Sequence, residues 1–333
     1  MYRVMRNRGN FNNHIGLPLS LTELTARPAV AVVELGMNHA GEIRTLVGIA
    51  EPDIRVWTNV GEAHVGFFAS VDAIADAKAE ILEGASRSTV LVANADDPRV
   101  SRRIGSFIGR VVTFGTGSAS DVRARDIVDR GIDGLSATVS TSRGDMTLTT
   151  PLVGRANLGN VLAATAVAVE LDVPVDLIAA RAAHLRPAAH RGEVVALGNG
   201  VTVIDDSYNA NPTATKRALD VLAASSGAKR RVAVLGEMLE LGDHAIALHE
   251  DVGRTAAATA ALLITVGGAP AAAMADAAVA AGLSRVSVRH FATSDDAAAA
   301  VADLVKAGDL VLVKGSRGVR TDRVVDRLKE GAR

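Results

Sequence analysis

From Val201 onward the chain alternates between short apolar runs and helical segments, and that alternation limits its folds more than any other feature. Runs of strand length lie at 201–206, 231–236, 262–267, 286–291 and 309–314, with helical segments at 213–224, 244–261, 270–281, 294–306 and 319–330. Strands separated by helices of that length cannot pair as hairpins. They predict βαβ units, a mainly parallel sheet covered by helices on both faces, and ligand sites at the carboxyl ends of the strands. The fold class is therefore α/β, with a Rossmann-like doubly wound domain over residues 197–333. The turn-rich connection Pro187–Gly200 marks the boundary with a first domain over residues 1–196.

In that first domain, residues 1–28 read as an irregular entry. The continuous apolar run Ala29–Leu35 predicts a buried parallel strand with Glu34 near its carboxyl end. Further strands are expected at Ile54–Asn59 and Thr89–Asn94, and helices at Val71–Gly84, Leu158–Leu171 and Val175–Leu185. Between Arg110 and Pro151 short alternating runs broken by Gly, Asp and Ser predict a few antiparallel strands.

Composition excludes several functions. The net charge is −1 with no basic stripe, which argues against nucleic acid as a partner. The absence of cysteine excludes disulfides, thiolate metal sites and a cysteine nucleophile. No apolar segment at the N-terminus resembles a signal peptide and no apolar run is long enough to span a bilayer, so a cytoplasmic enzyme or binding protein, acting as a monomer, is expected.

The chemistry clusters after strands. The stretch Val201–Leu222 reads strand, polar crossing, helix, with Asn211 and Pro212 suited to the helix start. Asp205, Asp206, Ser207, Tyr208, Asn209 and Asn211 crowd the crossing. A ligand site and a turn capped by its own side chains both account for them. Glu34 and His64 each follow an expected strand of one sheet, where a carboxylate suits Mg²⁺; an imidazole is an unusual ligand for so hard an ion. Lys78 lies seven residues after Val71, on the apolar stripe of its helix. A lysine facing a core is disfavoured as a cation, and a neutral amine can take up CO₂ as a carbamate; the alternative is a side chain that snorkels to water. Lys314–Gly318 (KGSRG) ends the last strand and is expected to open the last helix, where free N–H groups with Lys314 and Arg317 would form an anion site.

Several of these segments together resemble the Mur ligases: GNFNNHIGLPLSL, VVELGMNHAGEI, NVGEAHVGFF, AKAEI, DDSYNANP, GEMLELG and VKGSRG occur in that family's order. The resemblance implies a central ATPase-type parallel-sheet domain followed by the Rossmann-like domain. It also implies ATP and Mg²⁺ as cofactors, and amide formation between UDP-N-acetylmuramoyl-tripeptide and D-alanyl-D-alanine in peptidoglycan precursor synthesis. By the same resemblance Glu34, His64 and a carbamylated Lys78 would hold metal, with these three as the catalytic set. Asn157, Asn160, Arg191, Asp206, Tyr208 and Asn209 would meet ATP, and Asn12, Asn13, Asn211, Lys314, Ser316 and Arg317 the substrates. Ala156 in GRANLGN stands where the family usually has histidine. Members of the family also carry a GKT or GKS phosphate loop upstream of the GNFNN segment and a domain for the UDP-sugar before it, and no G-x-x-x-x-G-K-[ST] occurs in this chain. The central domain is thus expected to be N-terminally truncated, with exposed apolar surface. The alternative function is a catalytically dead remnant that binds only nucleotide or a partner.

Overall fold

The computed structural model describes residues 2–63 and 65–331. They form two compact units, one of Met1–Arg123, Ser140–Arg143 and Leu162–Val173, the other of Ala124–Val139, Gly144–Val161 and Pro174–Arg333.

The first unit opens with β1 (Val4–Arg6), α1 (Gly16–Leu21) and β2 (Val30–Val32), followed by α2 (Glu42–Ala50) and β3 (Ile54–Trp57). Then come α3 (Val71–Ala79), β4 (Val90–Asn94), α4 (Pro98–Ser101) and β5 (Arg110–Gly115). A 3₁₀ turn at Glu80–Leu82 completes the helical segment expected to reach Gly84. Among the described residues β2 pairs only with β1, in parallel. This corrects the expectation for Ala29–Leu35. The strand is three residues long and Val32 is 54% exposed. An apolar run reads as buried only when both of its faces are covered, and this one is at most partly covered: Val30 and Val33 are half-buried while Ala31 and Val32 are exposed. It also corrects the placing of Glu34 and the loop of His64 on one sheet, because β3 belongs with β4 and β5 in a separate sheet. His64 itself lies outside the described residues.

That second sheet has the order β3-β4-β5-β6-β7-β8, where β6 is Val122–Asp129, β7 Leu135–Thr141 and β8 Gly144–Thr150. β5 runs parallel to both β4 and the start of β6, so the segment 110–151 is not wholly antiparallel as its alternation suggests. Trp57, Leu91, Ala93 and Val100 form the local core, with Leu82, Ile104 and Phe107 against them. Helix α5 (Arg155–Glu170) and α6 (Val175–Ala182) follow.

The remaining elements are β9 (Glu193–Ala196), β10 (Thr202–Asp206), α7 (Pro212–Ala224), β11 (Arg230–Gly236), α8 (Ala245–Thr259), β12 (Leu262–Val266), α9 (Ala269–Ala280), β13 (Val288–Phe291), α10 (Ser294–Leu304), β14 (Asp309–Lys314) and α11 (Asp322–Glu330). The sheet order is β13-β12-β11-β14-β10-β9, parallel from β13 to β10 with β9 antiparallel at the edge. β9 falls in the stretch that reads as plain connection; a four-residue strand with alternating burial at a sheet edge carries little periodic signal. Val203, Val232, Val234, Ile264, Val311 and Val313 pack with Val301, Val324 and Leu328 into one core. Each such side chain contributes about 1.5–3 kcal/mol when fully buried. Lys314 lies opposite Asp206 on one side and Leu235 on the other, so the carboxyl ends of β10, β14 and β11 finish level. Among the described residues no helix is long and apolar enough to cross a membrane.

Candidate functional site

In the first unit the loop after β2 carries Glu34, whose exposed carboxylate is oriented by neighbours. Asn12 Nδ2 donates to Glu34 Oε1 at 2.9 Å, and the Glu34 N–H donates to Asn7 Oδ1 at 3.2 Å. The Asn12 carbonyl accepts the Gly36 N–H at 2.8 Å, and a side chain at position 36 would collide with the Asn12 amide. Asn13 acts on the backbone instead. Its Oδ1 accepts the N–H groups of Ile15 and Gly16 at 3.1 and 2.8 Å and so fixes the first turn of α1.

Lys78 sits near the end of α3, on the side that buries Ile74, Ala75 and Ala77. Burial pushes its pKa below the ordinary lysine value, and the Glu34 carboxylate pulls it part of the way back. The structure thus brings Lys78 and Glu34 within electrostatic reach. Two residues further on, Glu80 is buried and spans to α2: its carboxylate accepts the N–H groups of Gly41 and Arg44 at 2.6 and 3.1 Å. Glu80 therefore caps the N-terminus of α2, a role not visible in the string AKAEI.

The donors fit Mg²⁺. An exposed carboxylate held by an amide is what this hard cation takes, with water and phosphate oxygens completing its octahedron. A Lys78 carbamate would add a further anionic oxygen. No group of three or more His, Asp or Glu converges among the described residues.

In the second unit the level ends of β10, β14 and β11 gather the polar residues of DDSYNANP, GEMLELG and KGSRG. Lys314 is buried, and its Nζ donates to Asp206 Oδ2 at 2.6 Å and to the Asn209 carbonyl at 3.0 Å. Burial pushes the Asp206 carboxyl up, while Lys314 and then Arg191 pull it down. The sequence predicts that Lys314 receives an anionic guest; in the structure its charge faces Asp206 instead. Ser316 is also buried and works as a tie, its Oγ accepting the Leu239 N–H at 2.9 Å and donating to the Ala210 carbonyl at 3.3 Å. Asn211 caps α7 through the Ala214 N–H at 2.8 Å, with Pro212 in the first turn.

What remains exposed is Arg191, Asn209 and Arg317 around the half-buried Tyr208. The Arg191 guanidinium stacks 4.2 Å from the Tyr208 ring centroid and that of Arg317 lies 5.9 Å away. These two cations beside one aromatic ring form a surface suited to an anionic guest. The α-helix expected to open at KGSRG begins only at Asp322, after a 3₁₀ turn at Arg317–Val319. Arg317 pairs instead with Asp322 at 3.6 Å, so this segment does not bring the α-helix N-terminus that its sequence suggests. Asn157 and Asn160 lie on the first turns of α5, where Asn157 Nδ2 donates to the Val153 carbonyl at 2.9 Å and Asn160 Nδ2 to Asn157 Oδ1 at 3.3 Å.

Sequence reading passes over His249. It is fully buried, accepts the Met238 N–H at Nε2 (2.9 Å) and donates from Nδ1 to the Ala245 carbonyl (2.7 Å). It thereby ties the GEMLELG loop to α8 as a neutral imidazole, and burial lowers its pKa below 6.5. Glu237 in the same loop accepts the Gly268 N–H at 2.6 Å, next to the start of α9.

Comparison with known proteins agrees with this layout. The family profile described as Mur ligase middle domain matches residues 1–168, and that described as Mur ligase, glutamate ligase domain, matches residues 190–317. The UDP-N-acetylmuramoyl-tripeptide–D-alanyl-D-alanine ligase of Bacillus subtilis is 32% identical over 329 residues, covering 99% of this chain and 70% of its own length. A crystal structure of MurF from Acinetobacter baumannii superposes with a TM-score of 0.88 at 30% identity, over 99% of this chain and 71% of its own. MurF ligase from Thermotoga maritima, solved in complex with ADP, gives 0.86 at 27% identity, over 99% and 74%. This chain belongs to the Mur ligase family.

Proposed function

We propose that this chain is an ATP-dependent amide ligase that adds D-alanyl-D-alanine to UDP-N-acetylmuramoyl-tripeptide. The observation that carries the reading is identity of 32% to a ligase of that name across 99% of the chain, together with the polar ends of β10, β11 and β14. In the reaction a carboxylate oxygen of the tripeptide attacks the γ-phosphorus of ATP, the bond to the β-phosphate oxygen breaks, and ADP leaves. The amine nitrogen of D-alanyl-D-alanine then attacks the acyl carbon, the carbon–oxygen bond breaks, phosphate leaves, and the nitrogen loses a proton. Glu34, His64 and a carbamylated Lys78 would hold Mg²⁺, which when bound neutralises charge developing on the phosphates.

The other assignments are roles for the chain's own residues. Arg191, Tyr208 and Asn209 hold nucleotide at the end of β10, with Asp206 kept in place by Lys314. Asn157 and Asn160 meet nucleotide from α5. Asn12 orients Glu34, Arg317 offers its fork of donors to a substrate carboxylate, and Asn13, Asn211 and Ser316 fix the loops that carry these groups. The domains run 1–192 and 193–333, so that β9 stays with the sheet in which it pairs with β10, and the chain works as a monomer.

A second reading, nucleotide or partner binding without turnover, concerns these 333 residues assayed by themselves, in which no G-x-x-x-x-G-K-[ST] phosphate loop occurs. Positioning of the β- and γ-phosphates accounts for much of the rate of phosphoryl transfer. The test is to incubate the protein with ATP, Mg²⁺, UDP-N-acetylmuramoyl-tripeptide and D-alanyl-D-alanine and to follow UDP-linked pentapeptide by mass spectrometry. Pentapeptide that disappears in Lys78→Ala supports ligation. Bound nucleotide without pentapeptide supports the second reading, and neither signal removes both.

A further inference from the structure

Asp205 and His190 belong to none of the contacts assigned above, yet they fix the backbone on either side of Arg191. Asp205 is fully buried. Its Oδ2 lies 2.9 Å from His190 Nδ1, and its Oδ1 accepts the Ser207 hydroxyl at 2.6 Å and the Ser207 N–H at 3.3 Å. The Lys329 ammonium stands 3.9 Å from Oδ2, beyond hydrogen-bond reach. Main-chain bonds repeat the link: the Gly192 N–H donates to the Asp205 carbonyl at 2.9 Å and the Tyr208 N–H to the His190 carbonyl at 3.1 Å.

His190 has φ +60°, a left-handed conformation that residues other than glycine seldom adopt. Such a conformation persists only where its surroundings over-determine it. Here the imidazole bond to Asp205 and the two main-chain bonds do so. The turn they hold returns the next side chain, Arg191, across the Tyr208 ring at 4.2 Å.

We propose that His190 and Asp205 are a positioning pair for Arg191, holding its guanidinium on Tyr208 so that its outward N–H groups face the phosphates of a nucleotide. Neither residue touches the nucleotide. The proposal rests on the nucleotide-binding role given to Arg191 above. Its physical basis is preorganisation. An exposed arginine loses rotamer freedom when it grips an anion, and one already stacked loses less.

The test measures binding of a fluorescent ADP analogue to the 333-residue chain and its His190→Ala, Arg191→Ala, His190→Asn and doubly substituted variants. Arg191→Ala is expected to weaken binding about tenfold, the loss of one charge-assisted contact. His190→Ala is expected to weaken it about fivefold, and the double variant no more than Arg191→Ala alone within about twofold, because one residue acts through the other. His190→Asn, whose amide can donate to Asp205 as Nδ1 does, recovers most of the affinity. Multiplicative losses of about fiftyfold in the double variant, or an unaffected His190→Ala, overturn the pairing while leaving Arg191 in its role. An unaffected Arg191→Ala overturns that role and the proposal with it. Amide exchange at Tyr208 and Gly192 gives a separate readout. Both are expected to exchange faster in His190→Ala, and unchanged protection overturns the pairing.

Discussion

Two parallel pairings in this chain look alike as sequence and differ in what covers them. In β11–β14 every residue of β14 is buried, and helices pack on the sheet's faces. In β1–β2 the strands are three residues long, Val4 is 57% exposed and Val32 54%, and Tyr2, Phe11, Ile15, Leu19 and Leu24 nearby are exposed as well. Apolar character therefore has different energetic meaning in the two places. In β14 it is removed from water, at about 25 cal/mol per Å²; in β2 most of it is still hydrated.

The largest effect is expected where burial is complete. Leu235→Ala in β11 removes a fully buried side chain and should cost about 2–5 kcal/mol, read from the denaturant transition of the Rossmann-like unit. Lys314→Ala should cost somewhat less, about 1–3 kcal/mol in the same measurement, because it leaves the mostly buried Asp206 carboxylate without its hydrogen-bonded cation. If Lys314→Ala is neutral, the level ends of β10 and β14 are not held by that ion pair.

A smaller effect comes from His249. Its folded pKa lies below 6.5, the value expected when unfolded. Below that value the unfolded chain binds more protons than the folded one, so stability is fully present above it and is lost as pH falls. Denaturation midpoints between about pH 7.5 and 5.5 should decline with acid, and the decline should be shallower in His249→Gln. Equal slopes would mean that other groups govern acid sensitivity. The smallest change is expected at β2. Val32→Thr should alter stability by less than about 0.5 kcal/mol, read from the denaturant transition of the first unit. A loss like that of Leu235→Ala would erase the contrast between the two pairings.

The same contrast explains what can be read from sequence. Every strand and helix from Val201 to Glu330 is legible, because βαβ units repeat one pattern and both strand faces are covered. β9 escapes notice as a short edge strand, and Ala29–Leu35 misleads because hydropathy reports what a residue prefers and not what lies beside it. At the site, the spacing places Lys78 on an apolar helix face and Asn211 at a helix start. It does not reveal that Lys314 is neutralised by Asp206, that Glu80 reaches back to Gly41, or that His190 bends left-handed against Asp205. Each of those depends on partners at least fifteen positions away in the chain.

The bond from Glu80 to the start of α2 has a practical consequence for mutational scans. A screen that scores growth or product would flag Glu80 as strongly as Lys78, and the two positions would merge into one active-site cluster. Melting temperatures recorded in parallel would pull them apart. Glu80 variants should lose their folded baseline early, whereas variants that only delete the Lys78 amine should unfold at or above the parental temperature, since burial disfavours the charged form of the group they remove.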